Sequence, residues 1–350
     1  MSEEDVVRRH GYHHLRVKRV VSETADASSF AFEVPAEFAD LYRYDAGQFL
    51  TFRVEVGGEE LIRCYSMSSS PVTDPDITVT VKRVPDGRVS NWFNDHVKEG
   101  DTLDVMKPSG VFCIKTDDRP VVGFCGGSGV TPVISIAKTL LASSARPVHV
   151  LYANRDAESV IFADQWRQLE AEHGDRLRLV HHLDSSSGYL TADAVREFVG
   201  GTTDADFYIC GPGPFMDLVE SSLHEMAVPD DRISIERFVN AGETVDLPPA
   251  PEEAGAVVPD EITLVVKRRK HVLKYRAGDT VLATARAGGV ATPFSCEAGV
   301  CASCMAMVRG GTVAMRLNGA LTPEEVAEGW VLTCQSVPTS DGVVLDFEPL

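Results

Sequence analysis

Four cysteines near the C-terminal end, Cys296, Cys301, Cys304 and Cys334, constrain this chain more than any other feature. Their spacing, C-x4-C-x2-C followed by a lone Cys after 29 residues, demands one tight loop and one returning segment. Thiolates are soft ligands suited to iron, and this spacing is one by which proteins hold a [2Fe-2S] cluster. The intervening residues Glu297, Ala298, Gly299, Val300, Ala302 and Ser303 are mostly small, so backbone N–H groups can approach the cluster sulfurs. Zinc is the competing reading. It is disfavoured because zinc sites usually pair two short C-x2-4-C knuckles, whereas here the first two ligands are four residues apart and the last stands alone.

A chain of 350 residues accommodates two or three domains, each with its own core. It opens Met1-Ser2-Glu3-Glu4-Asp5, with no signal-like start, and contains no apolar run near the roughly 18 residues of a membrane span. Cys64, Cys113, Cys125 and Cys210 follow no pairing pattern, which fits a reducing compartment, so a cytoplasmic protein is expected. The net charge of -19 opposes binding to nucleic acid. Residues 1–240 carry 24 basic and 38 acidic side chains, residues 241–261 none and 6, and residues 262–350 carry 9 and 8. The cysteine-bearing segment is therefore nearly neutral.

Along the chain, residues 1–14, with His10, His13 and His14, read as a polar tail. Short β-branched and aromatic stretches follow at Val17–Val21, Ser29–Val34, Gln48–Val54, Leu61–Ser66, Ile77–Val84 and Thr102–Met106. Their regular spacing predicts an antiparallel barrel over residues 1–115, interrupted by a helix from Ser90 to Val97 with Ser90 as its N-cap. From 116 to 240 strands alternate with amphipathic stretches, which predicts a parallel sheet with helices on both faces. The first turn of that sheet, Gly126-Gly127-Ser128-Gly129-Val130-Thr131-Pro132, lets backbone approach a pyrophosphate at a helix N-terminus, with Pro132 suited to a first helical turn. Residues 241–261 are rich in Pro, Ala and acid and read as a linker. The final module, 262–350, begins with a hairpin whose Lys267-Arg268-Arg269-Lys270 is expected to be a solvated turn.

The segment from Pro293 through Ala306 resembles the cluster loop of plant-type ferredoxins, a likeness covering about the last 90 residues. Arg63-Cys64-Tyr65-Ser66 resembles the R-x-Y-S signature of the ferredoxin-NADP reductase superfamily, and Cys210-Gly211-Pro212-Gly213-Pro214-Phe215-Met216 resembles its C-G-P segment. The resemblance implies that Arg63 meets the flavin pyrophosphate, Tyr65 lies on the isoalloxazine and the Ser66 hydroxyl addresses N5. It extends flavin contacts to Lys82, Val84, Gly87, Val89 and Ser90, and an aromatic role to Phe238. It implies nucleotide contacts at Gly127, Gly129, Thr131, Pro132, Asn154, Arg155, Gly211 and Pro212, with Cys210 beside the nicotinamide C4. Cys64 reads as a small filler, and His181 and His182 as structural.

The expected architecture is thus a multidomain α+β chain: an antiparallel flavin-binding β-barrel, an α/β nucleotide-binding parallel sheet and a β-grasp ferredoxin domain. NAD(P)H gives up two electrons as hydride and a [2Fe-2S] cluster takes one, so a flavin must stand between them. The module order is similar to reductase components of multicomponent oxygenases. The motifs RCYSMSSSP, LYANRD and ICGPGPFM are most similar to those of the 3-ketosteroid 9α-hydroxylase and phenylacetyl-CoA oxygenase reductase type. That resemblance implies FAD, NADH with NADPH as the alternative, and a Rieske or di-iron oxygenase, or a desaturase, as acceptor. A free-standing NAD(P)H oxidase or ferric reductase and a redox-sensing module are the other readings.

Overall fold

Alternation of side chains along the first strand buries His13, Leu15 and Val17 while their neighbours face outward. In the computed structural model, which describes residues 11–115, 117–238, 257–294, 296–299 and 301–347, this strand, β1 (Tyr12–Thr24), joins β2 (Ala27–Glu33), β3 (Phe49–Val56), β4 (Glu59–Ser66), β5 (Ile77–Lys82) and β6 (Thr102–Met106). They form one antiparallel sheet in the order β4-β3-β6-β1-β2-β5. Its edges approach through the Met67 and Val79 backbones, which curls it toward a barrel around Phe30, Phe32, Leu50, Phe52 and Phe93. Strand β1 begins inside the stretch expected to be a tail. The His13 ring packs on Phe38 and meets the Tyr42 hydroxyl at 3.1 Å, and His14 pairs with Asp104, because both lie in register opposite β6. His10 lies outside the described residues.

The barrel's helix, α1 (Arg88–His96), starts two residues earlier than expected, with Gly87 as N-cap. Ser90 is therefore inside the helix, not its cap. Its Oγ accepts from Val84 N at 3.1 Å and so folds the preceding turn back onto the helix.

The second sheet is parallel, ordered β11-β10-β7-β8-β9 from β7 (Val121–Gly126), β8 (Val148–Asn154), β9 (Leu177–Leu183), β10 (Asp206–Cys210) and β11 (Ile233–Glu236). Helix α2 (Val130–Ser143) packs on one face, while α3 (Ala163–His173), α4 (Ala192–Val199) and α5 (Gly213–Glu225) complete the layers. Chain order reverses between β7 and β10, and there the carboxyl ends of strands open a crevice.

The third module is a mixed sheet, β13-β12-β18-β14-β16, from β12 (Glu261–Val266), β13 (Arg269–Lys274), β14 (Met305–Gly310), β16 (Trp330–Leu332) and β18 (Val344–Asp346), beside the pair β15 (Val313–Met315) and β17 (Ser336–Pro338). Helix α6 (Val281–Ala287) lies on it, and α7 (Pro323–Ala327) carries a capping box between Thr322 and Glu325. The basic turn is shorter than expected. Lys267 and Arg268 alone make it, at φ 49° and 59°, and Arg269 and Lys270 belong to β13, since two positive-φ residues suffice for a tight hairpin. The expected linker falls largely on residues outside the described ones. The module docks on the barrel through Lys107 Nζ and Glu325 Oε1, 2.6 Å apart, and through Met106 and Tyr12 packed with Cys304, Cys334 and Leu332.

Candidate functional site

A cavity of about 580 Å³ opens along β4 and the N-terminus of α1, lined by Arg63, Tyr65, Ser66, Lys82, Val84, Gly87, Val89, Ser90, Thr131 and Phe238 among others. Every residue expected to touch flavin therefore faces one space. Tyr65 is held edge-on to Phe93 at 5.3 Å, and Phe238 stands 41% exposed at the cavity wall instead of packing into a core. The charge in the walls suits an anion: Arg63, Lys82 and the free N–H groups at the start of α1 converge on it. A Cβ added at Gly127 would come within 3.7 Å of Lys82 Nζ, so this cation also reaches the glycine turn of the parallel sheet.

That turn needs its glycines for contact. Gly127 has φ +54°, and a Cβ at Gly129 would sit 2.2 Å from the Cys210 carbonyl oxygen. The β7 and β10 ends are thereby clamped together, with Gly211 and Pro212 beside Gly126. Thr131 donates to Ser128 O and, with Pro132, is buried in the first turn of α2. At the end of β8 the buried Asn154 amide lies beside the Tyr152 hydroxyl without a hydrogen bond of normal geometry, a polar group suited to a ligand. Arg155 is exposed and donates to Asp156 Oδ2 at 3.2 Å. His182 Nε2 meets Gly188 O at 2.8 Å, and burial lowers the His181 pKa.

Cavity and crevice meet at Ser66. Its Oγ donates to Glu236 Oε2 at 2.7 Å, and Glu236 pairs in register with Cys210. Burial pushes the Glu236 carboxyl up to about 7, opposed by the Ser66 hydrogen bond. Cys210 is fully buried, and burial raises its thiol further from ionisation.

The four cluster cysteines are buried and free of disulfides. They come as two pairs. Cys296 and Cys301 share one apolar cluster, where Cys296 N donates to Cys301 Sγ at 3.5 Å, and Cys304 and Cys334 share another. Among the described residues no three Cys, His, Asp or Glu side chains converge as ligands of a single metal ion. Two thiolate pairs fit a two-iron cluster, one pair to each iron. Ala298 N donates to Cys296 Sγ and Gln335 Nε2 to Cys334 Sγ, the kind of contact that surrounds thiolate ligands.

Family models match in the same order: an oxidoreductase FAD-binding domain over residues 14–114, an oxidoreductase NAD-binding domain over 124–221 and a 2Fe-2S iron-sulfur cluster binding domain over 264–339. The ferredoxin reductase component of 3-ketosteroid-9-alpha-monooxygenase from Rhodococcus rhodochrous is 38% identical over 95% of this chain and 96% of that protein. The chain belongs to the FAD- and [2Fe-2S]-containing reductase components of oxygenases. One of the subunits of 1,2-phenylacetyl-CoA epoxidase from Escherichia coli is 33% identical over 96% of this chain and 98% of that one. Phthalate dioxygenase reductase superposes with a TM-score of 0.61 at 25% identity, covering 99% of this chain and all of the other.

Two neighbours of the expected site residues in this reductase escape sequence reasoning. Glu236 reads only as the end of a domain, because its partner Ser66 lies 170 residues away. Cys64 reads as filler, yet its sulfur sits 3.3 Å from Thr51 Oγ1 and it packs with Cys296, Ala298 and Cys301, so it stands against the cluster loop. Among the described residues no helix of the reductase is long and apolar enough to cross a membrane.

Proposed function

We propose that the chain takes hydride from NADH at the crevice between β7 and β10, holds FAD in the cavity along β4, and delivers single electrons through a cluster on Cys296, Cys301, Cys304 and Cys334 to a separate oxygenase. The observation that carries this order is the placement of β4 itself. Ser66 at its end reaches the nucleotide crevice, whereas Cys64 two residues earlier reaches the cluster loop. Bound FAD supplies the exchange of a hydride for two single electrons.

The remaining chemistry belongs to side chains. Arg63, Lys82 and the α1 N-terminus bind the pyrophosphate, and Tyr65 with Phe238 orients the ring. Gly127, Gly129, Thr131 and Pro132 admit the dinucleotide, and Asn154 and Arg155 meet its ribose end. Gly211 and Pro212 place Cys210 near the nicotinamide. Ser66 and Glu236 handle the proton at N5. With Glu236 protonated, its O–H can satisfy Ser66 Oγ, and the Ser66 hydrogen would be free to donate into the cavity that would hold FAD. With Glu236 ionised, Ser66 donates to the carboxylate and its oxygen would present an acceptor to the cavity that would hold FAD. A carboxyl that titrates near 7 serves both directions.

The acceptor is proposed to be an oxygenase acting on a steroid or an aromatic acyl thioester, as the names of the relatives indicate for those systems. Eight free cysteines support a cytoplasmic site. Anaerobic titration with NADH, followed by optical and EPR spectra, tests the relay. Uptake of about three electrons per chain, two on flavin and one on the cluster, is expected. Uptake of two with a silent cluster would refute it.

A further inference from the structure

The signature strand β4 borders two redox sites at once. Arg63, Cys64, Tyr65 and Ser66 all border the 580 Å³ cavity. Cys64 also packs with Phe49, Cys296, Ala298 and Cys301. The residue opposite it on β3, Thr51, is 2% exposed and bridges the same gap. Thr51 Oγ1 lies 3.3 Å from Cys64 Sγ and donates to the Cys301 carbonyl oxygen at 3.3 Å. Two modules far apart in sequence thus meet at a sulfur, a hydroxyl and a cluster-ligand segment. An inert filler would need none of these polar contacts. A thiol has the polarisable sulfur that a close, dry electron path favours, and with the Thr51 hydroxyl spent on the Cys301 carbonyl its S–H is the weak donor to Thr51 Oγ1.

We propose that Cys64 is the positioning residue that couples the flavin cavity to the cluster: it holds Cys301 against β4 and carries each electron across the module boundary through its sulfur. Electrons enter as one hydride and leave the cavity singly. At Cys64 no bond forms or breaks, the thiol is neither oxidised nor reduced, and the proton left behind goes to the Ser66 and Glu236 pair. The inference rests on FAD occupying the β4 cavity, a reading tested separately by Arg63→Ala, which should lose flavin.

The test uses the full-length, fully loaded protein with Cys64→Ala and Cys64→Ser. Stopped-flow mixing with NADH without oxygen resolves flavin reduction from the following transfer to the cluster, and an EPR-monitored redox titration gives the cluster potential. Cys64→Ala should keep its flavin, its iron and the first phase. It should slow the second phase by about tenfold or more, since small misplacements of a redox contact cost one to two orders of magnitude. Loosening the Thr51 bridge to the Cys301 carbonyl should also shift the cluster potential. Cys64→Ser, which retains a donor, should restore the potential and recover part of the rate. An unchanged second phase together with an unchanged potential overturns the proposal. Loss of iron, or a collapse of the first phase, in both variants overturns it as well, because Cys64 would then be a structural or flavin-pocket residue.

Discussion

The cluster loop and the flavin cleft assemble by different means. Three of the four cluster thiols come from one short loop, 296–304, and the fourth from the turn between β16 and β17 within the same module. The cleft instead draws Arg63, Tyr65 and Ser66 from β4, Lys82 from β5, Ser90 from α1, Thr131 from the second module and Phe238 from beyond its last strand. A locally built site fails when one ligand is lost. A site shared among modules degrades by steps, as each contributor supplies a separable contact.

Removing a thiolate is the largest perturbation. Cys304→Ala should abolish the cluster and nearly all transfer to an oxygenase, while NADH-driven ferricyanide reduction, which can draw on flavin directly, persists because barrel and parallel sheet have their own cores. Cys301→Ala is the sharper case. The Cys64 thiol, packed against Cys296 and Cys301, offers a substitute ligand that the spacing does not reveal, so residual iron in Cys301→Ala should vanish in Cys64→Ala/Cys301→Ala. Iron and acid-labile sulfide analysis checks both. Full iron in Cys304→Ala would contradict the local assembly of the site.

In the cleft the expected losses are smaller. Ser66→Ala should bind FAD, since Arg63, Lys82 and the α1 end hold the charge, but slow its reduction by about 10²- to 10³-fold, the usual cost of a positioned proton-handling group. Under the proposed relay, Glu236 should set the pH dependence. Burial raises its folded-state value to about 7, so it is protonated below that pH and would then leave the Ser66 hydrogen free to face the flavin cavity. Flavin reduction by NADH should therefore slow as pH rises through about 7, and Glu236→Gln should flatten the profile. A wild-type profile identical to that of Glu236→Gln would remove Glu236 from the mechanism.

These two sites also mark what is legible in the sequence. Cysteine spacing alone announces the cluster, because its ligands must be close along the chain. The glycine turn at 126–129 is equally legible, since only a side chain of zero length clears the Cys210 carbonyl. Alternation places the strands to within a few residues. The Ser66 contact with Glu236 and the Cys64 contact with Cys301 are not legible: each depends on how modules pack, and neither leaves a periodic or spacing signal. The same reason explains the Ser90 error. A serine three residues into a helix has the composition of a cap, and only the fold of the Val84–Gly87 turn shows that its Oγ is spent on Val84 N–H.

Docking between the two sites can be loosened without touching either. Lys107 Nζ and Glu325 Oε1 form a 2.6 Å pair with side chains 19% and 3% exposed. Lys107→Met removes the cation that faces this buried carboxylate, which should cost about 3 kcal/mol. The expected outcome is a lower melting temperature for the cluster-bearing module and a slower second phase in stopped flow, with the first phase unchanged. Equal slowing of both phases would mean that the pair supports the cleft rather than the docking.

The smallest effect concerns which nicotinamide is used. At the end of β8 an acidic side chain favours a ribose 2′-hydroxyl and a free cation favours a 2′-phosphate. Here both stand next to each other. Asp156 accepts from Ser159 N at 2.9 Å, which keeps it ionised and fixed, and Arg155 is tied to it through Nε. The cation is thus engaged by the very carboxylate that would repel a phosphate. NADH should show the higher kcat/KM. Asp156→Ala removes the repulsion and releases Arg155, an exposed pair worth up to about 1 kcal/mol, so NADPH efficiency should rise by about fivefold. Arg155→Ala should leave NADH within about threefold, since an exposed side chain of this kind contributes little to a ligand that carries no charge there. A wild-type kcat/KM higher for NADPH than for NADH would show that Arg155 already reads a phosphate despite its neighbour.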